Sequence, residues 1–133
     1  MLRKDEDPFA LAPQPGLDQL PALLDTIRKA GLECDLQLEG EPAELTAGVD
    51  LVGYRVIEAG LHVMAASGCR HGTLAVRNRP GDLELEIRSA DSVPDLDGAL
   101  RGISERVALY SGDLRVASAD GFALHAHLPL AAA

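Results

Sequence analysis

The sequence predicts an α+β fold, a two-layer sandwich whose mixed, mostly antiparallel sheet is covered on one face by about three helices. Three observations predict it. Periodic segments follow one another as helix, strand, helix, strand, strand, loop, helix, strand, strand, so paired strands alternate with helices. Two of the strand pairs are joined by short turn-forming runs, Arg79-Pro80-Gly81-Asp82 and Ser118-Ala119-Asp120-Gly121, as antiparallel hairpins are. The longest apolar run, VDLVGYRVIEAGLHVMAAS over 49–67, has helical spacing, not the alternation of a strand.

In chain order, residues 1–15 combine early charge with three prolines and read as a leader or linker. Residues 16–130 form the domain and 131–133 a tail. From Leu17 to Ala30 the apolar set Leu17, Leu20, Leu23, Leu24 and Ile27 recurs at helical spacing. Pro21 stands near the start, where a proline is tolerated, and Gly31 ends the segment. Leu32 to Glu39 alternates Leu32, Cys34, Leu36 and Leu38 against Glu33, Asp35, Gln37 and Glu39, the pattern of a half-buried strand with an acidic face.

Gly40-Glu41-Pro42 turns the chain into the long helix. There Thr46 is the expected N-cap, and Gly68 the expected stop. Val49, Val52, Val56, Gly60, Val63 and Met64 form its core stripe. A short connection, Gly68 to Gly72, leads to strands at Thr73–Asn78 and Leu83–Arg88, with Leu83, Leu85 and Ile87 on one side and Glu84, Glu86 and Arg88 facing solvent on an edge. Ser89 to Ala99 lacks periodicity and reads as a surface loop. Leu100 to Ser111 is a helix with Leu100, Ile103, Val107 and Tyr110 inward, stopped by Gly112. Strands at Leu114–Ala117 and Phe122–Leu128 complete the domain, the last placing Phe122, Leu124, Ala126 and Leu128 opposite Ala123, His125 and His127.

Composition narrows the function classes. The chain has 21 acidic and 12 basic residues, a formal net charge of −9, which argues against nucleic acid or an anionic membrane as partner. No run approaches the roughly 20 apolar residues of a membrane span, and the N-terminus lacks a signal-like apolar stretch. A cytoplasmic location is the expectation. Cys34 and Cys69 have no metal or redox spacing and read as reduced core residues. His125 and His127 share a strand face without the further ligands a zinc site needs, so they are expected to be exposed strand residues. Glu105 and Arg106 read as a structural ion pair or cap. Neither Ser67 nor Ser111 has a His-Asp arrangement beside it to support a hydrolase.

Several separated stretches resemble one family. YRVIEAGLH at 54–62, LELEIR at 83–88, LRGISERVALYSGDLRV at 100–116, DGFALHAHLPL at 120–130 and the opening PGLDQLPALLDTIRKAGL at 15–32 look like the ATP-binding domain of bacterial two-component sensor histidine kinases. The resemblance implies the GHKL (Bergerat) sandwich and, for an intact member, ATP and Mg²⁺ as ligands. In that family the central helix reads R-I-x-Q-E-A-L-T-N-x-x-K-H, where the Asn oxygen ligates Mg²⁺ and the Glu orients or deprotonates the attacking group.

Anchored on Arg55, those places fall on Ala59 for the Glu, Val63 for the Asn, Ala66 for the Lys and Ser67 for the His. A register shift of one makes Glu58 the Glu but puts His62, a softer nitrogen donor, at the metal position. The adenine-binding Asp of the first glycine box becomes Ser89, with Asp91 nearby, and the box has lost both glycines. The second box falls on Asp97, Gly98, Ala99 and Leu100, where Asp97 would repel phosphates.

The resemblance therefore implies a degenerate member with no catalytic residues and no metal ligands. Its vacated nucleotide groove is expected to be lined by Ala59, Val63, Ser89, Gly98, Ala99 and Leu100. No cofactor is expected. The implied role is regulatory, through a protein partner such as a kinase or response regulator, and oligomeric state is left open. Two alternatives stand beside it. One is an ATP-binding catalytic domain with altered motifs, using ATP and Mg²⁺ through Glu58, Ser89 or Asp91. The other is a module for a different small ligand, in a deep apolar pocket between 59–63 and 89–100.

Overall fold

The computed structural model describes residues 15–41, 44–91, 93, 96–118 and 120–130, without the side chains of 96–99. The expected leader before Pro15 and the tail at 131–133 lie outside them. A 3-10 turn at Leu17–Gln19 runs into helix α1 (Leu20–Lys29), followed by strand β1 (Glu33–Glu39), helix α2 (Ala47–Ala66), strands β2 (His71–Arg79) and β3 (Asp82–Ser89), helix α3 (Leu96–Leu109) and strands β4 (Asp113–Ala117) and β5 (Phe122–Pro129). The five strands form one sheet in the order β1-β2-β3-β5-β4, with the helices on one face, so the expected sandwich is the observed fold. Only β1 and β2 run parallel, Glu33 opposite His71 through Glu39 opposite Arg77; the other ladders are antiparallel.

Helix α2 is the central cover. The Thr46 hydroxyl accepts from the Val49 amide at 3.3 Å, which caps the first turn, and Gly68 takes a φ of +85° past the end. Val56, Ile57, Leu61 and Met64 are fully buried against Leu74, Leu83, Leu85, Ile87, Leu124 and Leu128 of the sheet. Each such side chain contributes roughly 1.5–3 kcal/mol relative to exposure. Gly60 sets how low the helix lies. A Cβ there would come 2.7 Å from Ile87 Cδ1 and 3.4 Å from Leu124 Cδ1, so any side chain would have to displace the Ile87 methyl for α2 to sit this close to β3 and β5. Val63, expected in the core stripe, is half-buried on the helix flank, and Ile57 and Leu61 take its share of the core.

Other boundaries moved for identifiable reasons. Strand β2 starts at His71, two residues before the expected start, because the parallel ladder with β1 begins there. The expected loop over 89–99 is cut short by α3, which starts at Leu96 and so takes in 97–99; Val93, in what remains of it, is buried. Tyr110 turns outward over Gly48, and Ser111, not Gly112, takes the left-handed conformation, φ +62°. Strand β3 is the centre of the sheet and not an edge, so Glu84 and Glu86 lie among neighbours. Leu38, placed by alternation on the covered face, is 68% exposed because β1 extends beyond the cover of α1.

Candidate functional site

The geometry of α2 decides which of its side chains can share a site. Gly60 points at the sheet. Helix α1 packs with β1 and α3 with β4, at opposite sheet edges, so α1 and α3 flank α2 on opposite sides. Ala59 and Val63, one helical turn apart, are half-buried and packed against the hydrophobic core, which Leu100 of α3 joins from its buried face. Their surfaces are hydrocarbon throughout. Glu58 and His62 stand on the α1 flank instead, lining a shallow cleft of about 310 Å³ with Gln19, Leu23, Thr26 and Tyr54. Glu58 Oε1 is held by Arg55 Nη1 at 2.7 Å.

Ser89 ends β3. Its hydroxyl donates to the His71 carbonyl at 2.8 Å and accepts from the Asp91 amide at 3.2 Å. Ala59, Val63 and Leu100 all pack in or against the one hydrophobic core, whereas Ser89 is tied to the start of β2. Gly98 and Ala99 belong to the first turns of α3, and their side-chain surroundings lie outside the described residues. Among the described residues no three His, Cys, Asp or Glu side chains converge as a metal-binding group. No described helix is long and apolar enough to cross a membrane.

No protein-family profile matches the chain, and no curated protein does. Solved structures do. The histidine kinase domain of the blue-light activated histidine kinase of Erythrobacter litoralis superposes with a TM-score of 0.65 at 14% identity, over 83% of this chain and 57% of that one. A second structure of the Erythrobacter litoralis kinase gives 0.65 at 13%, over 87% and 45%. The histidine kinase AdeS of Acinetobacter baumannii gives 0.61 at 14%, over 86% and 62%. The fold is one shared with histidine kinases. The chain spans about half the length of these structures.

On this histidine-kinase fold the uncovered face of the sheet carries a charge lattice that sequence reading missed. Arg77 is its hub. Its Nε donates to Glu39 at 2.9 Å, Nη1 to Glu84 at 3.1 Å and Nη2 to Glu86 at 2.9 Å, each on a different strand or register step. Arg88 Nε lies 3.1 Å from Glu86 and Arg79 Nε 3.5 Å from Glu84. The hydrogen bond to Glu86, working against partial burial, together with those to Glu39 and Glu84, raises the Arg77 pKa. Burial would lift the Glu84 carboxyl, but hydrogen bonds from His125 and Arg77 and the charge of Arg79 bring it below the ordinary range. Glu86 is lowered by its bond to Arg77 against burial, with Arg88 assisting.

The two strand histidines, expected to be exposed, are half-buried: His127 Nε2 lies 2.7 Å from Asp82 Oδ1 and Nδ1 3.5 Å from Asp113, and His125 Nε2 lies 3.5 Å from Glu84. Glu105 and Arg106 are both exposed, and among the described residues no ion pair joins them. Cys69 is buried and Cys34 half-buried, both as free thiols. Burial, with Asp35 beside it, pushes the Cys34 thiol up to about 11, which leaves it unreactive at neutral pH.

Proposed function

We propose that the chain is a degenerate histidine-kinase-type ATPase domain that does not hold a magnesium nucleotide productively and acts in cytoplasmic signal transduction by contact with a protein partner, a kinase or a response regulator. The observation that carries this reading is the α3-facing flank of α2. Where the resemblance places a carboxylate and an amide oxygen, Ala59 and Val63 offer methyl groups packed against the core. Magnesium takes oxygen donors, and hydrocarbon supplies none. These residues do not fit the group, and no catalytic step is derived through it.

The nearest substitute carboxylate, Glu58, is on the other flank and is neutralised by Arg55. The Ser89 hydroxyl, standing where a purine-binding carboxylate is expected to accept, is uncharged and its oxygen already accepts from the Asp91 amide at 3.2 Å. Each missing charged partner costs about 1.5–3 kcal/mol, a factor of ten or more in affinity. Three such losses in one site carry a micromolar nucleotide to millimolar or weaker. Isothermal titration of the full chain with a non-hydrolysable ATP analogue and Mg²⁺ tests this. No saturable heat below millimolar analogue is expected, and low-micromolar binding would overturn the reading.

A further inference from the structure

Leu38 is a large aliphatic side chain directed by its strand to the covered face, yet it is 68% exposed. Beside it lies an open groove of about 390 Å³ whose walls are Leu17, Leu20, Leu38, Leu45 and Val76. That volume falls in the range of about 300–1,000 Å³ usual for binding pockets. Asp50 lines it too, but its Oδ1 accepts from the Leu17 amide at 2.8 Å and so fixes the wall. Asp18 stands exposed at the rim. The groove borders β1, which among the described residues pairs only with β2, so within them its second edge has backbone donors and acceptors without strand partners. The side-chain row of that strand on the uncovered face is Glu33, Asp35, Gln37 and Glu39; Glu39 is bonded to Arg77 and Glu33 lies 3.9 Å from Arg28, while Asp35 is exposed and has no ion pair among the described residues.

We propose that this flank, made by the start of α1, the end of β1 and the start of α2, is a docking site for an extended, basic segment of a partner protein. The segment adds as a strand to the free edge of β1 and places one aliphatic side chain against Leu38 in the groove. Charge selects the occupant. A second copy adding through the same edge would set Glu33 and Asp35 against their own kind, and like charges in facing strands repel. Lysines or arginines in that place are attracted instead. The groove is on the α1 side of α2, away from α3, so the inference holds whether or not the α3 side binds a nucleotide.

The test uses the ¹⁵N-labelled full chain and two capped nonapeptides, one alternating Lys and Val about a central Leu, the other with Glu for every Lys. The basic peptide is expected to shift the amide signals of Glu33–Glu39 and of Leu45, and to bind at least tenfold more tightly than the acidic one. Leu38→Ser and, separately, Asp35→Lys should each weaken it about tenfold; both positions are exposed, and an unchanged urea midpoint verifies folding. Equal binding of the two peptides, shifts located elsewhere, or binding indifferent to Leu38→Ser overturns the proposal. So does a shift of the peptide-free Leu17 and Leu38 signals in a Phe9→Ser, Leu11→Ser chain, which would make residues 1–14 the occupant. A dimer in sedimentation that Leu38→Ser dissolves would instead make it a second copy, and equally defeats the idea.

Discussion

Arg77 gives three nitrogens to three carboxylates on the uncovered face of the sheet, and it is the residue whose removal would be felt furthest. Arg77→Ala leaves Glu84 and Glu86 side by side with only Arg79, Arg88 and His125 to offset them. Charge-assisted hydrogen bonds contribute about 1.5–3 kcal/mol where partly buried, less where solvent screens them. Urea unfolding at pH 7 should therefore show a loss of about 1–3 kcal/mol. The same carboxylates make stability pH-dependent. Their folded pKa values lie below the ordinary 4.5, so the contribution is complete above that value and is lost as pH falls through the lowered folded values. The urea midpoint should drop on acidification below about pH 4.5, and drop less in Arg77→Ala. None of this lattice was legible in the sequence. Glu84 and Glu86 read as solvent-facing because alternation assigns a face but not a strand's place in the sheet, and Arg77 acquires its partners only through cross-strand register.

Among elements, those coded by local geometry were readable. Pro80-Gly81 closes the β2–β3 hairpin, with Arg79 opposite Asp82, because so short a connection needs a residue able to take φ +78° as Gly81 does. The cap of α2 was readable for a similar reason, since a threonine hydroxyl before an apolar periodic run has a nearby amide to accept from. Thr46→Ala should lower stability by about 1 kcal/mol, measured as a smaller urea midpoint with unchanged slope. The start of α3 was missed although Leu96, Ala99, Leu100 and Ile103 have helical spacing, because Asp97 and Gly98 are weak helix formers inside a run that otherwise reads as turn residues. That Ala59 and Val63 share one flank of α2 follows from their spacing of four alone. That Glu58 and His62 belong to the α1 flank could not be deduced from the sequence, since a helix pattern does not say which neighbour stands on which side.

At the scale of the molecule, four of the strands join through antiparallel ladders centred on β3 and β5, whereas β1 is attached by a parallel ladder reached only across the twenty-residue α2. Each residue of such a ladder waits on the closure of a long loop, and among the described residues its outer side has no further strand to hold it. Amide hydrogen exchange should therefore find β1 exchanging faster than β3 and β5, with the slowest amides under Gly60 at Ile87 and Leu124. Leu38 and the groove beside it fit the same picture, an edge left incompletely roofed. If exchange follows that order, the edge at β1 is the part of the sheet where a local opening costs least, and the part under Gly60 the one where it costs most.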